Sequence, residues 1–103
     1  MSWKMFLDDW RNPKVNGLVV VRSFDDAVKI VNKDGCPTYI AFDYDLGVNK
    51  KTALDFAKWM INRDVAEGGK FIPANFVFSC HSSSEYGRKS ICEKLLEYLN
   101  RRN

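Results

Sequence analysis

Short apolar runs alternate along this chain with stretches of helical periodicity. Lys4-Met5-Phe6-Leu7 is apolar and stops at Asp8-Asp9, which reads as a first strand ending in an acidic turn. Trp10 to Gly17 contains Asn12, Pro13, Asn16 and Gly17, so a loop with no helix is predicted there. Leu18-Val19-Val20-Val21 is continuous and rich in β-branched residues, as in a strand buried on both faces. Ser23 then stands as an N-cap with Asp26 three residues on, and Phe24, Ala27, Val28, Ile30 and Val31 follow at helical spacing as far as Gly35. Tyr39-Ile40-Ala41-Phe42 predicts a third strand that runs into Asp43-Tyr44-Asp45-Leu46-Gly47. Thr52 with Asp55 repeats the cap pattern, Ala53, Phe56, Ala57, Met60 and Ile61 make one apolar helix face, and Gly68-Gly69 ends it. Phe76-Val77-Phe78-Ser79-Cys80 predicts a fourth strand. Ser82, Ser83 and Ser84 are available to cap a last helix with Ile91, Leu95, Leu96 and Leu99 on its inner side.

Strands that alternate with helices, and that are themselves continuously apolar, predict a parallel sheet covered on both faces. The expected fold is a small α/β domain of the flavodoxin-like, three-layer kind. It has about three helices and a four-stranded parallel sheet in the common flavodoxin-like order, 2-1-3-4, which right-handed crossovers favour.

Length and composition bound this picture. A chain of 103 residues with 46% hydrophobic residues is expected to form one domain with one modest core, spanning 1–103. No apolar run approaches the roughly 20 residues needed to cross a bilayer. The start, Met1-Ser2-Trp3-Lys4, lacks the apolar run and cleavage site of a signal peptide. A cytoplasmic location without membrane association is therefore expected. Cys36, Cys80 and Cys92 are odd in number and hold no C-x-x-C spacing, so they read as reduced core residues. A net charge of +3 is too mild to signal nucleic-acid binding, and Arg88, Lys89, Lys94, Arg101 and Arg102 read as a solvated helix face.

The candidate chemistry lies at the strand ends. In parallel α/β sheets, ligands bind beyond the carboxyl ends of the strands. Asp8-Asp9 follow the first strand, Asp43 and Asp45 the third, and His81 with the serines the fourth. In the order 2-1-3-4 the first and third strands are neighbours, which brings four carboxylates together. Grouped like charges repel, and a hard cation such as Mg²⁺ relieves the repulsion through carboxylates, waters and phosphate oxygens. Either acidic pair alone is explained by turn chemistry; both at adjacent strand ends point to a site. His81 is the only histidine, and it stands where a loop opens a helix, whose N–H groups attract anions. Ser82, Ser83, Ser84 and Gly87 are placed to line such a pocket, and Arg88 to grip a phosphate. Arg11 suits either a phosphate or a carboxylate. Trp10 suits either stacking on a base or filling the core. Trp3 and Trp59 read as packing residues.

Leu7-Asp8-Asp9 with Arg11 and Pro13, then Phe42-Asp43-Tyr44-Asp45-Leu46-Gly47, then His81-Ser82 with Gly87-Arg88, resemble the cyclic-phosphate processing receiver domains, a divergent branch of the two-component receivers. The resemblance covers nearly the whole chain. It implies a flavodoxin-like fold, favours the same strand order 2-1-3-4, and implies an acidic Mg²⁺ pocket. Asp8 and Asp9 match the receiver's acidic pair, and Asp43 or Asp45 its third-strand aspartate. Ser79, or a residue just after it, stands at the receiver's hydroxyl position. The chain is expected to be a truncated receiver, without the fifth strand and its lysine. Tyr44 stands where the family usually has histidine, and Ser84-Glu85 where it has Asn-Pro.

The resulting expectation is metal-dependent binding and processing of a cyclic phosphate or nucleotide phosphoester. Asp8, Asp9 and Asp43 would hold Mg²⁺ or Mn²⁺. His81, Asp43 and Asp45 would be catalytic, and Arg11, Trp10, Ser82, Ser83 and Arg88 would bind a small, nucleotide-like phosphorylated ligand. If an enzyme, the protein would be a phosphoesterase or cyclic-phosphate hydrolase. The competing expectations are an anion-binding module without turnover and a degenerate receiver serving as a protein-interaction switch.

Overall fold

The computed structural model describes residues 2–43, 46, 51–81 and 85–102. Its elements are β1 (Lys4–Leu7), β2 (Val19–Val21), α1 (Phe24–Asp34), β3 (Tyr39–Phe42), α2 (Ala53–Ala66), β4 (Val77–Cys80) and α3 (Glu85–Arg102). The strands form one sheet of order β2-β1-β3-β4, and all three pairings are parallel. Sheet order, strand direction and helix number agree with the sequence pattern.

The caps act as their chemistry predicts. The Ser23 hydroxyl accepts the Asp26 amide at 3.1 Å, and Thr52 and Asp55 form a reciprocal capping box. Gly35 ends α1 with φ 86°, in the left-handed region that a side chain disfavours, and its N–H donates to the Val31 carbonyl. Among the described residues no helix is long and apolar enough to cross a membrane.

Side-chain alternation gives the sheet two different faces. Met5, Leu7, Val21, Ile40 and Phe42 join Ala27 and Val31 of α1, Phe56 and Met60 of α2, and Ile91 and Leu95 of α3 in one core. Phe6 and Ala41 are buried too but point away from that cluster. On their face no helix packs among the described residues, because the β1–β2 connection is a loop. Leu18–Val21 is thus not buried on both sides: Val19 and Val20 are 39% and 37% exposed. The strand lies at the sheet edge, where one flank lacks a neighbour. β4 is the other edge, and Val77 is exposed. Phe76 is buried but precedes the strand. Leu96 faces solvent rather than the core, since it lies 100° around the helix from Leu95 while Ile91, Leu95 and Leu99 keep one face. Trp3 and Trp59 do pack against the core. Trp59 stacks on Phe56 with centroids 5.7 Å apart, and the Trp3 indole donates to the Gly35 carbonyl.

The distal end of the core is fastened by one buried charge. Asp64 on α2 accepts the amides of Phe71 and Ile72 at 2.9 and 2.7 Å, the Tyr98 hydroxyl, and Arg102 Nη1 at 3.2 Å. Burial alone would raise its pKa. The bonds from Tyr98, Ile72, Arg102 and Phe71 more than offset burial and hold it below its ordinary 3.8. Burial and the same carboxylate push Tyr98 up to about 12.

A lowered carboxyl pKa stabilises the fold at every pH above the unfolded value, and that stabilisation is lost as pH falls through the folded one. Asp64→Ala is therefore expected to cost about 3–5 kcal/mol in urea unfolding at neutral pH, because it leaves two amides and the Tyr98 hydroxyl without their acceptor and Arg102, still bonded to the Ile72 and Pro73 carbonyls, without its counter-charge. The variant should also lose less stability than the parent when both are taken from pH 6 to acid, as its midpoints at each pH will show.

Candidate functional site

The parallel register dictates the site. Leu7 pairs with Val21 and with Phe42, and Phe42 pairs with Cys80. One residue further along stand Arg22, Asp8, Asp43 and His81. Their row still belongs to the ladder: Asp8 N–H donates to Val21 O, Asp43 N–H to Leu7 O and His81 N–H to Phe42 O, at 3.1, 2.9 and 2.8 Å. Alternation turns this row toward the face of Phe6 and Ala41, away from the helices. One ligating atom from each of Asp8, Asp43 and His81 lies within 4.8 Å of the others, and both aspartates are buried.

Asp8 organises the group. Its Oδ1 accepts the amides of Trp10 and Arg11 at 3.1 and 2.9 Å, an Asx turn that folds the β1–β2 loop back over the strand end. Its Oδ2 lies 2.8 Å from His81 Nε2. Burial would raise the Asp8 pKa. The amides of Arg11 and Trp10 and the bond and charge of His81 outweigh it, so the carboxyl titrates below its ordinary 3.8. The His81 ring stacks on Phe6 with centroids 4.8 Å apart, which fixes its plane.

Arg11 binds the group together. Its guanidinium lies 3.5 Å from Asp8 and 3.7 Å from Asp43, and Nη1 donates to the His81 carbonyl at 3.3 Å. Of the two roles the sequence left open, the structure places it with the carboxylates. Trp10 is 71% exposed, so it does not fill the core, and the Arg11 guanidinium lies 5.3 Å from its ring centroid. Among the described residues, two buried side-chain atoms lack a hydrogen-bond partner, Arg11 Nε and His81 Nδ1, and both belong to this group.

Asp9 does not join the three-residue group. It lies two residues past the end of β1, where the chain bends, and lines a separate cleft of about 470 Å³ with Arg22, Ser23, Phe24, Asp25, Leu46 and Lys51. The Lys51 ammonium lies 4.6 Å from the Phe24 ring centroid there. Arg88 is half-buried at the start of α3. Asp45, Ser82 and Ser83, like Tyr44 and Ser84, lie outside the described residues.

Two participants escaped the sequence pattern. Arg22 donates to the carbonyls of Asp8 and Arg11 and to Asn12 Oδ1, and so holds the loop against the strand end. Its signal was its place one residue past β2, in step with Asp8. Phe6 looked like any core residue, and only the fold, with β3 between β1 and β4, reveals its contact with His81.

A parallel 2-1-3-4 sheet with aspartates at the ends of its two central strands defines a receiver-like α/β domain. The family model for the cyclic-phosphate processing receiver domain matches residues 3–97, and the chain belongs to that family, which links it to cyclic-phosphate processing. Comparison with curated proteins and with solved structures returns no match.

Neighbouring aspartates thus have different tasks, and substitution separates them. Asp8→Ala removes the acceptor for two amides and His81 and should lower stability by about 2–4 kcal/mol. Asp9→Asn should change it by less than about 0.5 kcal/mol, as at an ordinary surface position. Denaturant unfolding of both variants beside the parent checks the difference, and equal losses would contradict the separation of Asp9 from the Asp8 group.

Proposed function

We propose that this domain binds a small cyclic phosphate or nucleotide-like phosphoester at the carboxyl ends of β1, β3 and β4, and processes it with Mg²⁺ or Mn²⁺ held by Asp8 and Asp43. The observation that carries this reading is the convergence of ligating atoms from Asp8, Asp43 and His81 within 4.8 Å. The Asp8 carboxyl, held below its ordinary pKa, stands with the Asp43 carboxylate and an imidazole, a donor set that suits Mn²⁺ as well as Mg²⁺. Arg11 Nε, ion-paired with Asp8 but not hydrogen-bonded, and His81 Nδ1, without a hydrogen bond, support a ligand at the same place. Family membership supplies the ligand class.

When bound, the cation would polarise a phosphoryl oxygen and offset its charge. The protein's own groups account for the rest. Asp8 orients the imbalanced member of the group, His81, by engaging Nε2, and leaves Nδ1 to take or give a proton. Arg11 offers a planar guanidinium with an unused donor to a phosphate, and Trp10 an exposed ring to a base.

A second reading, capture without turnover, draws on Arg11. Its guanidinium already lies against both carboxylates, so the group is partly charge-balanced without an ion.

Mn²⁺ and Mg²⁺ are expected to raise the melting temperature, and Asp43→Asn to abolish the rise, since a cation that binds only the folded site stabilises it by mass action. With several cyclic nucleotides and Mn²⁺, product should form. His81→Ala should cut turnover by about 10²–10⁴-fold, the usual worth of a general acid or base. Ligand recovered unaltered from a protein that bound it would leave the capture reading standing. A metal shift that survives Asp43→Asn would remove the cation site.

A further inference from the structure

Cys80 is the last residue of β4, and alternation turns it toward the helices, as it turns Phe78. Cys92 follows the buried Ile91 on α3. Both are free, half-buried thiols, and their sulfurs lie 2.9 Å apart. A covalent S–S bond is about 2.05 Å long, so less than about 1 Å of approach separates this contact from a bridge. Cys36 stands apart, its thiol directed at the Pro37 carbonyl.

We propose that Cys80 and Cys92 are a reversible disulfide site, oxidised by a low-molecular-weight disulfide of the glutathione type. The thiolate of one cysteine attacks the oxidant's S–S bond, forms a mixed disulfide and releases one thiol. The second cysteine attacks the protein sulfur of that mixed disulfide and expels the other thiol. The two cysteine protons end on the two released thiols, and the oxidant gains the two electrons that the protein loses. The product closes a loop over the β4–α3 connection, which contains His81. The bridge therefore fastens α3 to the strand end that presents the imidazole, and it restricts the unfolded chain.

The experiment uses the whole chain, reduced and then incubated with oxidised glutathione, followed by alkylation, intact mass and tryptic mapping. Arg88 and Lys89 lie between the two cysteines, so trypsin separates them unless a disulfide holds the fragments together. Reduced protein should take an alkyl group on each of its three cysteines, and oxidised protein on Cys36 alone. The linked Cys80–Cys92 fragments should appear and vanish with dithiothreitol. Oxidation should raise the melting temperature by at least about 4 °C, a shift absent in Cys92→Ser. Alkylation of all three cysteines after oxidation, glutathione adducts on unlinked Cys80 and Cys92, or a bridge to Cys36 would each overturn the site. The mapping is done on the native sequence, so it decides the matter even if Cys92→Ser folds poorly.

Discussion

Everything at the carboxyl end of this sheet depends on a register that runs unbroken across four parallel strands. Side chains alternate with a period of two, and a slip of one residue would exchange the faces of a whole strand. The continued ladder at Asp8, Asp43 and His81 means that none of these residues relies on a flexible loop for its position. The same amides that extend the sheet put two carboxylates and an imidazole side by side. Asp9, one residue beyond the ladder, falls in the bend and lines a separate cleft. Backbone hydrogen bonding thus selects the members of the group, and side-chain chemistry only decides what the group does.

Gathering the group has an electrostatic cost, which the protein meets locally. Asp8 is buried, yet two amides, a histidine and an arginine surround it, so ionisation remains favoured. Asp64 solves the same problem at the far end of the core with amides, a tyrosine and an arginine. The two solutions differ in one respect. Among the described residues the buried side-chain atoms without a hydrogen bond occur only around Asp8, in Arg11 and His81. A buried carboxylate with saturated surroundings is a structural anchor. The surroundings of Asp8 are less completely satisfied than those of Asp64.

Most of the fold was legible because its signals are local. Caps at Ser23 and Thr52, the stop at Gly35 and the apolar runs each act within a few residues of where they are written. Sheet order followed from the general handedness of crossovers together with the receiver resemblance carried by Asp8, Asp9, Asp43 and His81. The failures were of a different kind. The exposure of Val19 and Val20 depends on which strand has no neighbour, and an apolar run reads alike at a centre or an edge. Leu96 failed because an apolar residue beside Leu95 was assumed to share its face. In the site, Asp8, Asp43 and His81 were legible from strand ends. The grouping of Asp9 with them ignored the bend that follows the ladder. The Phe6 contact with His81, and the reach of Arg11 to Asp43 and His81, join distant segments, and no spacing along the chain encodes those.

Arg11 links the described geometry to the proposed chemistry. In the structure its guanidinium lies against both aspartates, where it supplies the positive charge that a cation would otherwise bring. A phosphate entering the proposed site would compete for the same guanidinium. Were Arg11 to turn toward the anion, the carboxylates would lose their compensating charge and their affinity for a cation would rise. The reverse would also hold, because linkage is reciprocal: a cation on Asp8 and Asp43 would free Arg11 to hold a phosphate. Cation and anion would therefore favour each other's binding without any movement of the sheet, through one side chain that cannot serve both partners at once. An invariant row of strand ends with one exchangeable arginine is sufficient for such coupling, and a receiver switch built on a fifth strand is not required for it.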